Sequence, residues 1–352
     1  MLNTPFSPWP CFTDEERDAV SRVLASNRVN YWTGDECRKF EHEFADWIGV
    51  KHAVALFNGT VALELALRAL DITAGDEVIV TPRSFFGSAS CIVVAGATPV
   101  FADVDRDSQN ITADTIRAQI TDRTRAIICV HLAGMPCDMD PIIQLAREHD
   151  LRVIEDCAQA HGAEYRGKNV GSIGDIAAWS FCQDKIITTG GEGGMVTTND
   201  DGLWSKVWSL KDHGKSWDAV YNCEHPPGFR WVHDSFGTNA RMLEMQAAIG
   251  RIQLQRMPEW RDRRNANAMR LAAVCSKHDA VRVPPVPEDC MHAYYRFYAF
   301  AETGNLAEGW SRDRIVDEVN ARGVPCYHGA CPEIYRENAF SAAEYAPPGR
   351  LA

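Results

Sequence analysis

The chain has 352 residues, of which 45% are hydrophobic and 24% charged, and a net charge of −12 at pH 7. That is the make-up of an ordinary soluble globular protein, long enough for one large domain and a smaller one. The acidic balance argues against nucleic acid as a partner, which needs a basic face. No apolar run approaches the roughly 18 residues of a membrane span.

The first six residues have neither a basic region nor an apolar core, so no signal peptide is expected. Thr13-Asp14-Glu15-Glu16 is a capping box and predicts a first helix that buries Val20, Val23 and Leu24. Tyr31-Trp32-Thr33-Gly34 breaks the pattern as a loop. Phe40, Phe44, Trp47 and Ile48 then recur at helical spacing and predict a second helix with one apolar face. Residues 52–57 read as a strand, Asn58-Gly59-Thr60 as a turn, and 61–70 as a helix. Free N–H groups at such a junction, with the helix dipole, favour an anion. A plain strand-to-helix turn is the competing reading.

Residues 77–80 form another strand, and 82–87, which include Phe85 and Phe86, open a helix reaching Val94. Further strands are expected at 98–101, 126–130 and 151–154, with a helix over 141–149 between the last two. Strands alternating with helices predict an α/β fold with a mostly parallel, doubly wound central sheet. From 211 to 232 the periodicity disappears. Lys211, His213, Lys215 and Arg230 are interspersed there with Trp217, Tyr221, Phe229 and Trp231. Such a set suits a diphosphate and a base, and a mobile surface loop is the other reading.

Residues 237–242 open a helix with Met245, Ala248, Ile249 and Ile252 on one face. An arginine-rich helix over 258–274, its charges a solvated face, is expected to lead into the smaller domain. We divide the chain into 1–255, a large domain with N-terminal helices, and 256–352, a small α+β domain in which Ser311-Arg312-Asp313 starts a helix ending at Gly323. Twelve scattered cysteines without Cys-x-x-Cys pairs fit reduced thiols in the cytoplasm. The tract from Cys326 to Cys331 matches no standard zinc spacing, and no metal is expected.

Two stretches carry chemistry. An apolar run, 176–179, leads through Ser180 to Lys185 and on to Gly190-Gly191-Glu192-Gly193-Gly194, after which 195–198 reads as a buried strand. Lys185 therefore sits on a tight connection between two strands. Lysines do covalent work by forming Schiff bases, and need a depressed pKa to be nucleophilic near neutrality. A surface lysine in a glycine-rich hairpin is the competing reading. The second stretch ends a strand in Glu155-Asp156, followed by Cys157-Ala158-Gln159-Ala160-His161-Gly162. Pyridoxal phosphate enzymes need a lysine and a carboxylate beside the pyridine nitrogen. Ligands of open α/β sheets collect at the carboxyl ends of strands, where Asp156 and Lys185 both fall. His161 is expected to hold Asp156 in place. Alternatively, Cys157 and His161 offer two metal ligands without a third nearby.

Residues 155–162, Gly171-Ser172-Ile173-Gly174-Asp175, Ser180-Phe181 with Lys185, and Gly191-Glu192-Gly193-Gly194 together resemble the DegT/StrS-type sugar aminotransferases. The resemblance spans nearly the whole chain. It implies the pyridoxal phosphate-dependent transferase fold of type I and transfer of an amino group, with glutamate as the usual donor, to a keto sugar, most often nucleotide-linked. It assigns Lys185 as the cofactor lysine and proton carrier and Asp156 as the partner of the pyridine nitrogen. The family's Gly-Thr, here Gly59 and Thr60, binds the cofactor phosphate with Ser180. Phe85 lies over the ring and Gln159 packs against it or bonds its 3-hydroxyl. Asn239 reaches into a neighbouring subunit's site, implying a homodimer with shared sites, although Ala240 replaces the tyrosine usual before the arginine. Trp32 and Thr33 border the sugar pocket, and His131 and Gly134 match a loop near the cofactor.

Related sugar dehydratases carry histidine in place of Lys185, so the lysine favours transamination. A keto-cyclitol acceptor and a non-catalytic regulator of the same fold are the alternatives. The family continues with a further strand and helix beyond the position of Ala352, so a truncated product is one reading of this end.

Overall fold

The computed structural model describes residues 6–329 and 332–341. Helices α1 (Asp14–Ala25) and α2 (Glu36–Ile48) precede strand β1 (His52–Leu56). There follow α3 (Gly59–Ala69), β2 (Glu77–Val80), α4 (Gly87–Val94), β3 (Thr98–Phe101), α5 (Ala113–Arg117), β4 (Thr124–Val130), α6 (Met139–Glu148) and β5 (Arg152–Asp156). A small hairpin, β6 (Glu164–Tyr165) and β7 (Lys168–Asn169), leads to β8 (Ile176–Ser180) and β9 (Gly194–Thr198). Then come α7 (Asp201–Lys211), α8 (Trp217–Tyr221), the long α9 (Glu244–Cys275), β10 (Val281–Arg282), β11 (Cys290–Met291), β12 (Phe300–Ala301) and α10 (Arg312–Ala321).

Seven strands form the central sheet in the order β1-β9-β8-β5-β4-β2-β3. β3, β2, β4, β5 and β8 pair in parallel, and β9 alone runs against its neighbours β8 and β1. Side chains alternate across a strand, and both faces here are apolar because helices cover both. Val54, Leu56, Val80, Ile128 and Ile154 pack on one face with Leu65 of α3. Ala53, Ala55, Trp179 and Met195 pack on the other with Phe40 and Phe44 of α2. β11 pairs with β6, tying the later segment back to the sheet domain.

Four expectations change. Leu24 is 53% exposed, because the face of α1 that packs on α9 runs through Glu16, Ala19 and Val23. The helix expected from 237 begins at Glu244, and the strand-like stretch before it pairs with the main body (Leu56↔Arg241, Asp212↔Asn239). The break expected at Pro258 does not occur: α9 continues through it as one helix of 32 residues. An interior proline forfeits one backbone bond, and the packing of Leu254 and Met257 before it and Trp260 after it, all on one apolar cluster, holds the helix together. The stretch from 211 to 232 holds the short helix α8, capped by Ser216. Of the 326–331 tract, residues 330 and 331 lie outside the described residues, as do 342–352. No helix among the described residues is long and apolar enough to cross a membrane.

Candidate active site

The site lies at the carboxyl ends of β5 and β8, which pair with Asp156 opposite Ala178. Asp156 is buried. It accepts hydrogen bonds from Ser88 Oγ at 2.8 Å and from the Ala158 N–H at 3.1 Å, and Ser84 and Ser88 hydroxyls lie 2.8 Å apart. Burial pushes its pKa up, against the pull of the Ser88 and Ala158 bonds and the charges of Lys185 and His131. Lys185 stands on the 181–193 connection, its Nζ 4.9 Å from the centre of the Tyr295 ring. Tyr295 donates to Asp184, and Trp9 Nε1 donates to the Lys185 carbonyl at 3.0 Å.

The start of α3 lies against Ser180, at the end of β8. Asn58 caps it by accepting from the Val61 N–H at 2.9 Å, leaving the first N–H groups of the helix directed outward. Gly59 abuts Ser180 so closely that a Cβ there would sit 2.6 Å from the serine Cβ. Phe85 is 69% exposed, while Phe86 packs on Phe340. A Cβ on Gly87 would meet both Phe85 Cδ1 (3.0 Å) and Thr60 Oγ1 (3.4 Å), which puts Phe85 beside the same helix start. Gln159 Oε1 accepts from the Ala133 N–H at 2.7 Å, and Ala133 has a φ of 57°.

Trp32 donates to Asp212 at 2.8 Å. Buried Asp212 also pairs with Lys215 and Arg241, each at 2.9 Å, and the Lys215 ammonium lies 4.2 Å from the Trp32 ring centre. Thr33, His213 and Arg230 are exposed. Asn239 is exposed too, and its side chain makes no hydrogen bond among the described residues. His161 does not hold Asp156. Both its ring nitrogens are buried without a hydrogen-bond partner, its ring lies against Trp179 and Phe181, and burial pulls its pKa to about 3. His131 instead bonds Glu155 at 3.1 Å while its Nδ1 accepts from the Cys137 N–H, which fixes a structural role. Cys157 groups with His131 and Glu155 rather than with His161. The Glu155 carboxylate is already filled by His131 and the N–H groups of Gly171, Ile173 and Gly174.

Residues 10–351 match the DegT/DnrJ/EryC1/StrS aminotransferase family. The chain belongs to that family. It is 42% identical to the GDP-perosamine synthase of Caulobacter vibrioides over 91% of this chain and 83% of that protein. It is 40% identical to the UDP-N-acetyl-3-dehydro-alpha-D-glucosamine 3-aminotransferase of Acidithiobacillus ferrooxidans over 92% of this chain and 80% of that protein. Among solved structures it superposes on the aminotransferase from Psychrobacter cryohalolentis with a TM-score of 0.96 and 60% identity, covering 99% of this chain and 90% of that one.

The DegT/DnrJ/EryC1/StrS aminotransferases use pyridoxal phosphate, and the residues present fit it. A buried carboxylate raised by desolvation has no cation in contact among the described residues, and a protonated pyridine would supply one. A glycine-narrowed helix start beside a serine hydroxyl suits a phosphate. An exposed phenylalanine face suits a flat ring. Sequence reasoning missed Ser88, Ser84 and Asp212. Ser88 follows Ser84 by one helical turn, a spacing that could have flagged the pair. Asp212 had no such signal, since its partners come from distant segments.

Proposed function

We propose that this aminotransferase transfers an amino group from glutamate to the keto group of a nucleotide-linked sugar. The observation that carries the reading is buried Asp156 at the end of β5, beside β8, whose following connection carries Lys185 and whose last residue, Ser180, meets the start of α3. When bound, pyridoxal phosphate supplies an electron sink for the carbon that loses its proton. Asp156, held by Ser88 and the Ala158 N–H, keeps a negative charge beside the pyridine nitrogen. Gly59 and Thr60 N–H groups and Ser180 Oγ take the phosphate, Phe85 covers one face of the ring, and Gln159 is steadied by Ala133. Lys185 Nζ holds the cofactor, then carries the proton between donor and acceptor carbons.

Trp32, Thr33, His213 and Arg230 take the sugar nucleotide, the aromatic and cationic groups suiting a base and a diphosphate. The relatives named above involve GDP- and UDP-linked sugars, which supports the nucleotide-sugar class. We read the protein as a cytoplasmic homodimer, with Asn239 serving the partner's site. Its free cysteines and the exposed Phe229 and Trp231 support this. We also read 1–255 as the large domain and 256–352 as the small one, joined through α9, which runs across that boundary.

Two measurements test the reading. Purified protein should be yellow, and borohydride should fix the cofactor to Lys185 on peptide mapping. A panel of nucleotide-linked keto sugars with glutamate should yield one sugar product heavier by the keto-to-amine exchange. No cofactor uptake, or cofactor fixed at another lysine, refutes the assignment.

A further inference from the structure

We propose that Arg264 and Arg296 form a carboxylate subsite beside Lys185 that receives the amino donor, a dicarboxylic α-amino acid. The proposal rests on the aminotransferase reading and deepens it.

Arg264 stands on the second half of α9, among charges that the sequence suggested were solvated. Its side chain is partly buried instead. It donates to the Tyr294 carbonyl at 3.2 Å and lies 5.9 Å from the Trp9 ring centre. No carboxylate among the described residues pairs with it. Guanidinium groups taken out of water are normally paired. The charged group that bears on it most is another cation, Arg296, and burial with that repulsion pulls its pKa down.

Arg296 leads to the lysine. Its guanidinium lies 4.2 Å from the Tyr295 ring centre, and Lys185 Nζ lies 4.9 Å from the same centre. Its carboxylate partner is Asp184 at 3.4 Å, and Asp184 already accepts from the Tyr295 hydroxyl. Two arginines against one aspartate leave one positive charge unmatched before Lys185 is counted. The buried imidazole of His161, within electrostatic reach of both Lys185 and Arg264, is held neutral and so adds no further positive charge. Among the described residues the cluster therefore carries more positive charge than its carboxylates match, with Arg296 and Asp184 half-exposed and open to a ligand.

The amino donor must bring its nitrogen to the place Lys185 Nζ serves. A dicarboxylic amino acid then carries one carboxylate next to that nitrogen and another two methylenes away. A planar, bidentate guanidinium matches either. A nucleotide diphosphate has related chemistry, so the test separates the two.

Holoenzyme is titrated by calorimetry with glutarate, a dicarboxylate without an amino group, and separately with GDP and UDP. The variants are Arg264→Gln, Arg296→Gln and Arg264→Lys. Glutarate affinity should fall about tenfold or more in each glutamine variant, as for loss of a charge-assisted bond. Arg264→Lys should recover part of the loss, and nucleotide binding should stay within about twofold of wild type. Unchanged glutarate binding in both glutamine variants overturns the subsite, as does absence of glutarate binding to wild type. A loss of nucleotide binding parallel to that of glutarate reassigns the arginines to the diphosphate and also overturns it. If Arg264→Gln does not fold, judged by circular dichroism and cofactor absorbance, Arg296→Gln and Arg264→Lys decide. Glutamate alone, added to wild type without a sugar, should bleach the cofactor band. If it does not, and no other amino acid does, the aminotransferase reading fails. If it does while glutarate binding ignores the arginines, only the subsite fails.

Discussion

Glu155 and Asp156 are adjacent and both buried, and their pKa values are shifted in opposite directions. Burial pushes Glu155 up, but the His131 hydrogen bond and the N–H groups of Gly171 and Gly174 outweigh it, so its pKa ends below the ordinary 4.5. Its contribution to stability is therefore present above that value and is lost as pH falls through the lowered one. Asp156 ends above its ordinary 3.8, because two hydrogen bonds and distant charges do not offset burial. Its ionised form costs stability at neutral pH, and that cost disappears as pH falls toward 3.8. Two outcomes follow. Glu155→Gln should lose about 3 kcal/mol, as expected for breaking a buried pair, and should lose most of the acid transition that this residue causes. Asp156→Asn should leave the cofactor-free protein as stable as wild type or more so, keep cofactor uptake, and lower turnover about 100-fold or more, since electron withdrawal matters most in the transition state. Denaturant melts of both variants across pH, with turnover of the second, check this. Near-normal turnover in Asp156→Asn would remove it from the chemistry.

At the scale of elements, the sheet was readable because both sheet faces are covered: 98–101 and 77–80 match β3 and β2, and the lysine connection falls between β8 and β9 as expected. What escaped depended on partners far apart in sequence. Pro258 looked like a boundary because local chemistry disfavours proline inside a helix, yet α9 is held by packing that no local pattern reveals. Arg264 looked solvated for the same reason. The α3 junction shows the reverse case, in which a short motif does specify geometry. In Gly59→Ala the new methyl would meet Ser180 Cβ at 2.6 Å and Cα at 3.1 Å. Ser180 cannot retreat, since its strand is paired to Gly194. The helix start must shift, and with it the N–H groups proposed for the phosphate. Cofactor affinity, followed by absorbance titration, should weaken about 10- to 100-fold, because small misplacements at such sites are costly. Stability of the cofactor-free protein should fall by only about 1–3 kcal/mol, the usual cost of overpacking. Equal cofactor affinity would mean that Gly59 is a packing glycine alone.

For the whole molecule, the surface around 229–243 exposes several large aromatic side chains. Phe229, Trp231 and Phe236 are 76%, 83% and 95% exposed, and clustered apolar exposure of this kind marks an interaction surface. Asn239 lies in the same stretch with its side chain unbonded among the described residues, as expected of a group that acts across an interface. The proposed homodimer makes a prediction that single variants cannot. Lys185→Ala and Asn239→Ala should each be close to inactive. Refolded together, they exchange subunits and about half the dimers become mixed under two-fold symmetry. If Asn239 acts in its partner's site, each mixed dimer has one site with both lesions and one with neither, and about a quarter of wild-type activity returns. If Asn239 acts within its own subunit, every site keeps one lesion and no activity returns. Native mass spectrometry of the mixture establishes that exchange occurred, so an inactive mixture containing mixed dimers rejects the shared site. A monomer at working concentration rejects it more simply. Should Asn239→Ala retain activity, Asn239→Phe takes its place, since a ring there would block the partner's site by bulk and leave the arithmetic unchanged.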